Sequence, residues 1–189
     1  NKETGTIELG SGKTMKGSNY GMTWSPEGRY LAYIKIGEDI RLAIRDLQTN
    51  KELDLTDLSI QPYGYAWAPD GKSILVMSKE ESKRRAEGYK GEVIQIDLET
   101  SKTEEVFQLS EYEFNLPEDD RFPLSRLEQS ADGESFYYLF FKDRLVKHNL
   151  ETGEDKILIK YPSFTYNVLD LSPDGKNLLI GLEYPGDEK

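Results

Sequence analysis

The sequence predicts an all-β fold, a β-propeller built of four-stranded antiparallel blades, with about three full blades and a partial one. Two observations predict it: a turn segment that recurs four times, and a second segment that alternates with the first in a fixed order. The turn segments are residues 25–28, 68–71, 130–133 and 172–175. A strand-rich repeat of about 40 to 50 residues, punctuated by turns, is typical of propeller blades.

Each turn segment follows one pattern: Ser or Ala, then Pro, then Asp or Glu, then Gly. This pattern fits a type I turn in which the glycine adopts positive φ as the next strand begins. The third copy has Ala131 in place of proline, and alanine tolerates the same dihedral angles. Apolar β-forming residues lie on both sides, so each copy predicts a tight hairpin. Gly71→Val is expected to unfold the second hairpin, because a β-branched residue is strained at positive φ.

The second recurring segment marks the end of a later strand in each unit. Residues 44–49, 96–100 and 148–152 share an Asp or Asn, a Leu and a Thr at equivalent positions. The spacing from turn glycine to marker leucine is longest in the second unit, which predicts an insertion there.

The two markers divide the chain into predicted strands and blades. Blade-forming regions are residues 19–57, 61–109, 124–160 and, in part, 164–189, and residues 1–9 resemble the outer strand at 151–158. The predicted strands are 19–24, 30–36, 40–47 and 51–56; 63–67, 73–78, 92–98 and 103–109; 125–130, 135–141, 144–150 and 155–160; 166–171 and 177–183. Residues 1–189 are thus either one propeller domain or a fragment of a longer propeller, and we favour the fragment. Closure of the chain on itself, or a homodimer that completes the ring, stays open.

Composition narrows the classes of function. The formal net charge of −11 and the lack of a basic stripe disfavour nucleic acid as a partner. No apolar run of 18 residues predicts a membrane span, and no signal-peptide pattern opens the chain. The absence of cysteine excludes disulfides and thiolate metal sites. No nucleophile elbow, phosphate loop or zinc-protease motif is present, so the sequence predicts a non-enzyme with no metal and no cofactor.

The candidate binding site comes from the two longest connections. In a four-stranded blade, the connection between strands two and three and the connection to the next blade leave the same end. Residues 79–90 are of the first kind and residues 110–123 of the second. Arginine and aromatic residues are enriched at protein interfaces, and the predicted binding residues are Arg84, Arg85, Tyr89, Tyr112, Phe114, Asp119, Asp120, Arg121 and Phe122. The alternative is that basic residues 83–85 and acidic residues 118–120 only pair with each other or face solvent.

Three conspicuous side chains are expected to have structural roles. Trp24 and Trp67 end the innermost strands, where we expect them to act as wedges between blades rather than as ligand platforms. His148 is the only histidine, and the alternation around it predicts a partly exposed strand position. One histidine without cysteine cannot form a zinc site unless three carboxylates join it.

The repeat resembles that of the TolB-type β-propeller family, whose blades are similar to WD repeats. The resemblance rests on residues 24–33, 67–77, 129–138 and 171–180 and on residues 46–49, 97–100 and 149–153. It implies a bacterial protein of the periplasm or the extracellular space. Propellers of this family usually have six or more blades, whereas this chain has about three and a half.

The resemblance leaves three functions open, because one fold serves many functions. The first, which we favour, is a non-catalytic module that binds a protein or a peptide. The second is the propeller of a prolyl-oligopeptidase-like serine peptidase, or of a lyase, whose chemistry lies in sequence not present here. The third is a scaffolding ectodomain of a bacterial sensor or regulator.

Overall fold

A computed structural model of the chain describes residues 19–36, 40–53, 61–79, 91–108, 124–140, 144–160, 165–172 and 174–183. Every regular element in these ranges is a β-strand, as the sequence predicts, and each strand lies within a few residues of its expected bounds. The strands are β1 (Asn19–Trp24), β2 (Tyr30–Ile36), β3 (Ile40–Asp46), β4 (Lys51–Leu53), β5 (Gln61–Trp67), β6 (Ser73–Lys79), β7 (Gly91–Asp97), β8 (Thr103–Gln108), β9 (Leu124–Gln129), β10 (Ser135–Phe140), β11 (Arg144–Asn149), β12 (Asp155–Lys160), β13 (Thr165–Leu171) and β14 (Leu178–Glu183).

The strands form four antiparallel sheets in which sequence neighbours pair. Strands β1–β4, β5–β8 and β9–β12 each form a four-stranded meander, and β13 and β14 form a two-stranded sheet. We call these sheets blades 1 to 4. The first strands of blades 2, 3 and 4 lie side by side, since β5 contacts β9 and β9 contacts β13. This is the arrangement of a β-propeller, in which the first strand of each blade is innermost.

The hydrophobic core lies between the blades. Successive residues of a strand point to opposite faces of the sheet, so Ile74 packs on blade 1 while Leu75 packs on blade 3. Both side chains are fully buried. Burial on both faces explains why the second strands β2, β6 and β10 are near-continuous apolar runs rather than alternating ones.

The four tight turns have the geometry that their sequence predicts. Each glycine adopts φ between +67° and +76° and donates its N–H to the carbonyl of the first turn residue at 2.8–2.9 Å. The third turn keeps this bond although Ala131 replaces proline. In three of the four turns the first residue is a serine. Its hydroxyl oxygen accepts a hydrogen bond from the backbone N–H of the residue five positions later, at 2.9–3.0 Å.

The second recurring segment is a side-chain-capped turn. The side-chain oxygens of Asp46, Asp97 and Asn149 each accept the backbone N–H groups two and three residues on, at 2.7–3.2 Å. Short polar side chains favour such turns. The side-chain hydrogen bond from Arg29 at 2.8 Å lowers the pKa of Asp46 to about 2. These turns and the four Gly-ended turns lie at one end of the blades, which we call the tight-turn end.

The expectation that both tryptophans act as wedges is correct for Trp67 and wrong for Trp24. The Trp67 ring stacks on Tyr30 of blade 1 with centroids 6.3 Å apart, and its Nε1–H donates to Thr23 Oγ1 at 3.1 Å. Trp24 is 57% exposed. The physical reason is that a wedge needs a preceding blade, and among the described strands none precedes blade 1.

The expectation that His148 is partly exposed is also wrong, because its side chain is buried. The residue is 3% exposed and lies between the rings of Phe107 and Phe136, with centroids 4.6 and 4.8 Å away. Its Nδ1 is 2.9 Å from Asp155 Oδ1, and the hydroxyl of Tyr138 donates to Asp155 Oδ2 at 3.2 Å. Phe107 comes from the neighbouring blade, so the sequence of strand β11 alone does not reveal this burial.

Candidate functional site at the long-connection end of blades 2 and 3

The described strand ends fix where the two longest connections begin and finish. Lys79 at the end of β6 pairs with Gly91 at the start of β7, and Gln108 at the end of β8 lies opposite Glu92. Leu124 starts β9 opposite the end of β10. All these ends lie opposite the tight-turn end, at what we call the long-connection end.

The nine predicted binding residues all lie outside the described residues, and their role stays a prediction. They are Arg84, Arg85, Tyr89, Tyr112, Phe114, Asp119, Asp120, Arg121 and Phe122. The structure fixes the strands that carry them, because residues 80–90 join β6 to β7 and residues 109–123 join β8 to β9.

The strand that leads into the second connection is anchored on the next blade. Phe107, one residue before the end of β8, contacts the rings of Phe136 and Tyr138 in blade 3, with centroids 5.8 and 5.6 Å away. Packing on a neighbouring blade holds this strand end in place, and loops on such rigid supports commonly carry binding residues.

A β-bulge interrupts the first strand of every blade in its half towards the long-connection end. The pairing register with the second strand shifts at one place in each first strand. The shift lies between Tyr20 and Thr23 in β1, between Pro62 and Gly64 in β5, at Arg126 in β9 and at residue 167 in β13. Bulges re-aim side chains and are common beside functional sites.

Arg126 is a candidate site residue that sequence reasoning missed. It is exposed and has φ of +56°, a conformation that non-glycine residues rarely adopt. In β1 the equivalent bulge contains Gly21, which also has positive φ, and a glycine at this position is a sequence signal for such a bulge. No residue of β9 gives such a signal.

A pair of carboxyl groups lies between the innermost strands of blades 3 and 4. Glu128 on β9 is half-buried, and this burial raises its pKa to about 7, with a further contribution from the charge of Asp170 on β13. Glu128 and Asp170 occupy equivalent positions in β9 and β13. The pairing of β1 with β2 and of β5 with β6 shows that the equivalent residues are Thr23 in blade 1 and Ala66 in blade 2. An acidic residue at this place is therefore particular to blades 3 and 4.

Within the described ranges, no group of three or more His, Asp or Glu side chains is placed to hold a metal ion. The same ranges contain no helix long and apolar enough to cross a membrane.

Comparison with solved structures defines the class of fold. The chain superposes on TolB from Acinetobacter baumannii with a TM-score of 0.67 and 18% identity, covering 90% of this chain and 39% of that one. It superposes on oligogalacturonate lyase from Vibrio parahaemolyticus with a TM-score of 0.64 and 14% identity, covering 91% and 48%. A structure of a nidogen/laminin complex gives 0.62 and 10%, covering 87% and 56%. The chain is a β-propeller, and its fold is of the TolB type.

Sequence similarity to known proteins covers a smaller part of the chain than the structural similarity does. No family model matches the chain. A segment of 58 residues, 28% of this chain, is 43% identical to part of the uncharacterized peptidase YuxL of Bacillus subtilis. The match covers 8% of that protein, and the chain spans between 39% and 56% of the three solved structures.

Proposed function

We propose that this chain is a non-catalytic propeller module that binds a protein or a peptide at the long-connection end of blades 2 and 3. The observation that carries the proposal is the register of β6 to β9, which brings the ends of both long connections to the same end of two adjoining blades. A pair of long connections on a rigid scaffold is the usual setting of a binding site.

The residue types of the connections support a polypeptide partner. Arg84 and Arg85 supply guanidinium groups, which suit carboxylates, and Tyr89, Tyr112 and Phe122 supply apolar area. The nidogen/laminin complex supports the idea that a scaffold of this kind takes part in protein complexes. The likeness to TolB supports our proposal of a periplasmic or extracellular location.

Charge reversal in the first connection tests this function. Peptides selected from a random displayed library against the wild-type chain should bind the double variant Arg84→Glu, Arg85→Glu at least about tenfold more weakly, since charge-assisted hydrogen bonds contribute about 1.5–3 kcal/mol each. The melting temperature should be unchanged, because both residues lie outside the blade strands.

A matched control keeps the change in net charge the same. Lys72→Glu with Lys156→Glu reverses two exposed lysines at the tight-turn end, and this variant should retain full binding. Equal binding by the wild type and both double variants would remove the case for the long-connection end. So would equal losses in the two double variants, since these would reflect net charge alone.

A second candidate function is the propeller of a larger peptidase. The 58-residue segment that is 43% identical to part of the uncharacterized peptidase YuxL favours it. In that case the coding sequence around this chain should encode a Gly-x-Ser-x-Gly nucleophile elbow with its Asp and His partners. Coding sequence on both sides without such an elbow would exclude this candidate.

A further inference from the structure

The contact between the first strands of neighbouring blades differs from one pair of blades to the next at one position. In blade 1 this position holds Thr23, whose Oγ1 accepts the Nε1–H of Trp67 at the end of β5, at 3.1 Å. In blade 3 the equivalent residue is Glu128, and in blade 4 the equivalent of Trp67 is Leu171. A leucine side chain has no N–H group, so Leu171 cannot make the bond to Glu128 that Trp67 makes to Thr23.

The carboxyl group of Glu128 lies on the face of blade 3 that is turned towards blade 4. Glu128 pairs with Tyr137 of β10. Tyr137 packs against the buried cluster of Leu139, Leu145 and Leu169, which joins these two blades. Because cross-strand partners share one face of a sheet, Glu128 lies on that face as well. It is half-buried, and no described residue donates a hydrogen bond to its carboxyl group or forms an ion pair with it.

The charged groups around Glu128 do not neutralise it. Burial raises the pKa of Glu128 to about 7, with a further contribution from the charge of Asp170 on β13. The other titratable groups on the elements around it do not contribute to this shift; they are Arg126 on β9, Tyr137 on β10, Lys147 on β11, Asp132 and Glu134 in the third tight turn, Asp174 and Lys176 in the fourth, and Glu183 on β14.

We propose that the contact between blades 3 and 4 is sensitive to pH, closed while Glu128 is protonated and opened as Glu128 ionises beside Asp170. The neutral carboxyl group can stay between the blades without a cation, whereas a carboxylate there lacks both a partner and water. Separation of β13 from β9 gives the carboxylate access to water. Blade 4 is the part of the described chain that covers this face, so the opening is local and leaves blades 1 to 3 paired.

The direction of the effect follows from proton linkage. The folded-state pKa of Glu128 lies above its ordinary value of 4.5, so the closed contact holds the proton more tightly than the open one does. The stabilising effect of the proton is fully present at low pH and is lost as the pH rises through about 7. The contact is therefore closed in mildly acidic solution and opens in mildly alkaline solution.

Thiol labelling of the full chain tests this proposal, because the chain contains no cysteine of its own. Leu169→Cys places a thiol between blades 3 and 4, and Leu75→Cys places one between blades 2 and 3; both positions are buried. Glu151→Cys, at an exposed turn position, measures how the reactivity of a thiol itself changes with pH. The three variants are labelled with a maleimide at pH 5.5 and at pH 8.

The labelling rates are divided by the rate of Glu151→Cys at the same pH. The corrected rate of Leu169→Cys should be about tenfold or more higher at pH 8 than at pH 5.5, because ionisation of Glu128 favours the open contact. At pH 8 it should also exceed the corrected rate of Leu75→Cys. Adding Glu128→Gln to Leu169→Cys should remove the dependence on pH, since an amide does not ionise.

Hydrogen–deuterium exchange makes the same comparison without a substitution in the core, so the test does not depend on the folding of Leu169→Cys. The protection of residues 165–171, relative to intrinsic exchange, should fall about tenfold or more from pH 5.5 to pH 8 in the wild type and stay nearly constant in Glu128→Gln. A dependence on pH that persists in Glu128→Gln would overturn the proposal. So would equal corrected labelling of Leu169→Cys and Leu75→Cys at pH 8, since both thiols would then react only when the whole chain unfolds.

Discussion

Glu128 is a carboxyl group whose charge the folded chain accommodates poorly. Burial raises its pKa from 4.5 to about 7, and Asp170 on the next blade adds repulsion. Between these two pH values the folded chain binds more protons at this site than the unfolded chain does. The contribution of the protonated form to stability is therefore fully present below about pH 4.5 and is lost as the pH rises through about 7.

Glu128→Gln should stabilise the chain at pH 8 and leave its stability at pH 4 nearly unchanged. The expected gain in the free energy of unfolding at pH 8 is about 1–3 kcal/mol, because a neutral amide carries no charge into the half-buried site. Urea unfolding at both pH values measures it. Glu151→Gln, a change at an exposed turn position, is the control and should show no such pH-dependent gain.

An equal effect of Glu128→Gln at pH 4 and pH 8 would contradict this account of the residue. It would mean that the amide acts through its shape or its hydrogen bonds. The sequence offers no sign of this perturbed carboxyl group, since it is one of 35 acidic residues and its burial depends on β13 of another blade.

At the scale of elements, neighbouring tight turns contact one another. A Cβ atom built on Gly175 would collide with the Cβ atom of Ala131 in the preceding turn. A Cβ atom built on Gly133 would meet nothing within 4 Å. Both glycines have positive φ, of +67° and +76°. The two positions therefore share the backbone requirement but differ in the space around them.

Gly175→Ala should destabilise the chain more than Gly133→Ala. The control variant suffers only the strain of alanine at positive φ, about 1–2 kcal/mol. Gly175→Ala adds a collision with a side-chain atom that the backbone holds fixed, so we expect a loss of about 2–4 kcal/mol in the free energy of unfolding. Urea unfolding of both variants checks the order. Equal losses would show that the two turns move apart at no cost.

The tryptophans allow a second comparison between elements. Trp67→Ala removes a ring that joins blades 1 and 2 and should lower the free energy of unfolding by about 2–4 kcal/mol. Trp24→Ala changes a residue that is 57% exposed and should cost less than about 1 kcal/mol. Chemical unfolding followed by circular dichroism measures both. A large loss in Trp24→Ala would mean that Trp24 is packed in solution, against this account.

These elements also show what the sequence could predict. The Gly-ended turns and the Asp or Asn turns are local: their own side chains and dihedral angles fix them, so the strand bounds could be predicted closely. Trp24 and His148 could not be predicted correctly, because their exposure depends on which blade lies beside them. The bulge at Arg126 is likewise set by pairing with β10 and has no signal in β9.

On the scale of the whole molecule, the two ends of the blades differ in the connections that they carry. The tight-turn end consists of short turns whose polar side chains are used to hold the turns themselves. The long-connection end carries residues 80–90 and 109–123, which include arginine and aromatic residues of the kinds enriched at interfaces. The fold could be predicted from the repeat, and so could the position of both long connections at one end of the blades. Whether and what they bind could not be predicted from the fold, since a scaffold does not determine its partner.

Hydrogen–deuterium exchange of the full chain, with and without a library-selected peptide, tests binding at the long-connection end most directly. We predict slower exchange in residues 80–90 and 109–123 and in the strand ends that flank them. Exchange in the tight turns at residues 25–28, 68–71, 130–133 and 172–175 should not change. Protection confined to the tight turns, with none at the long-connection end, would contradict the proposed function.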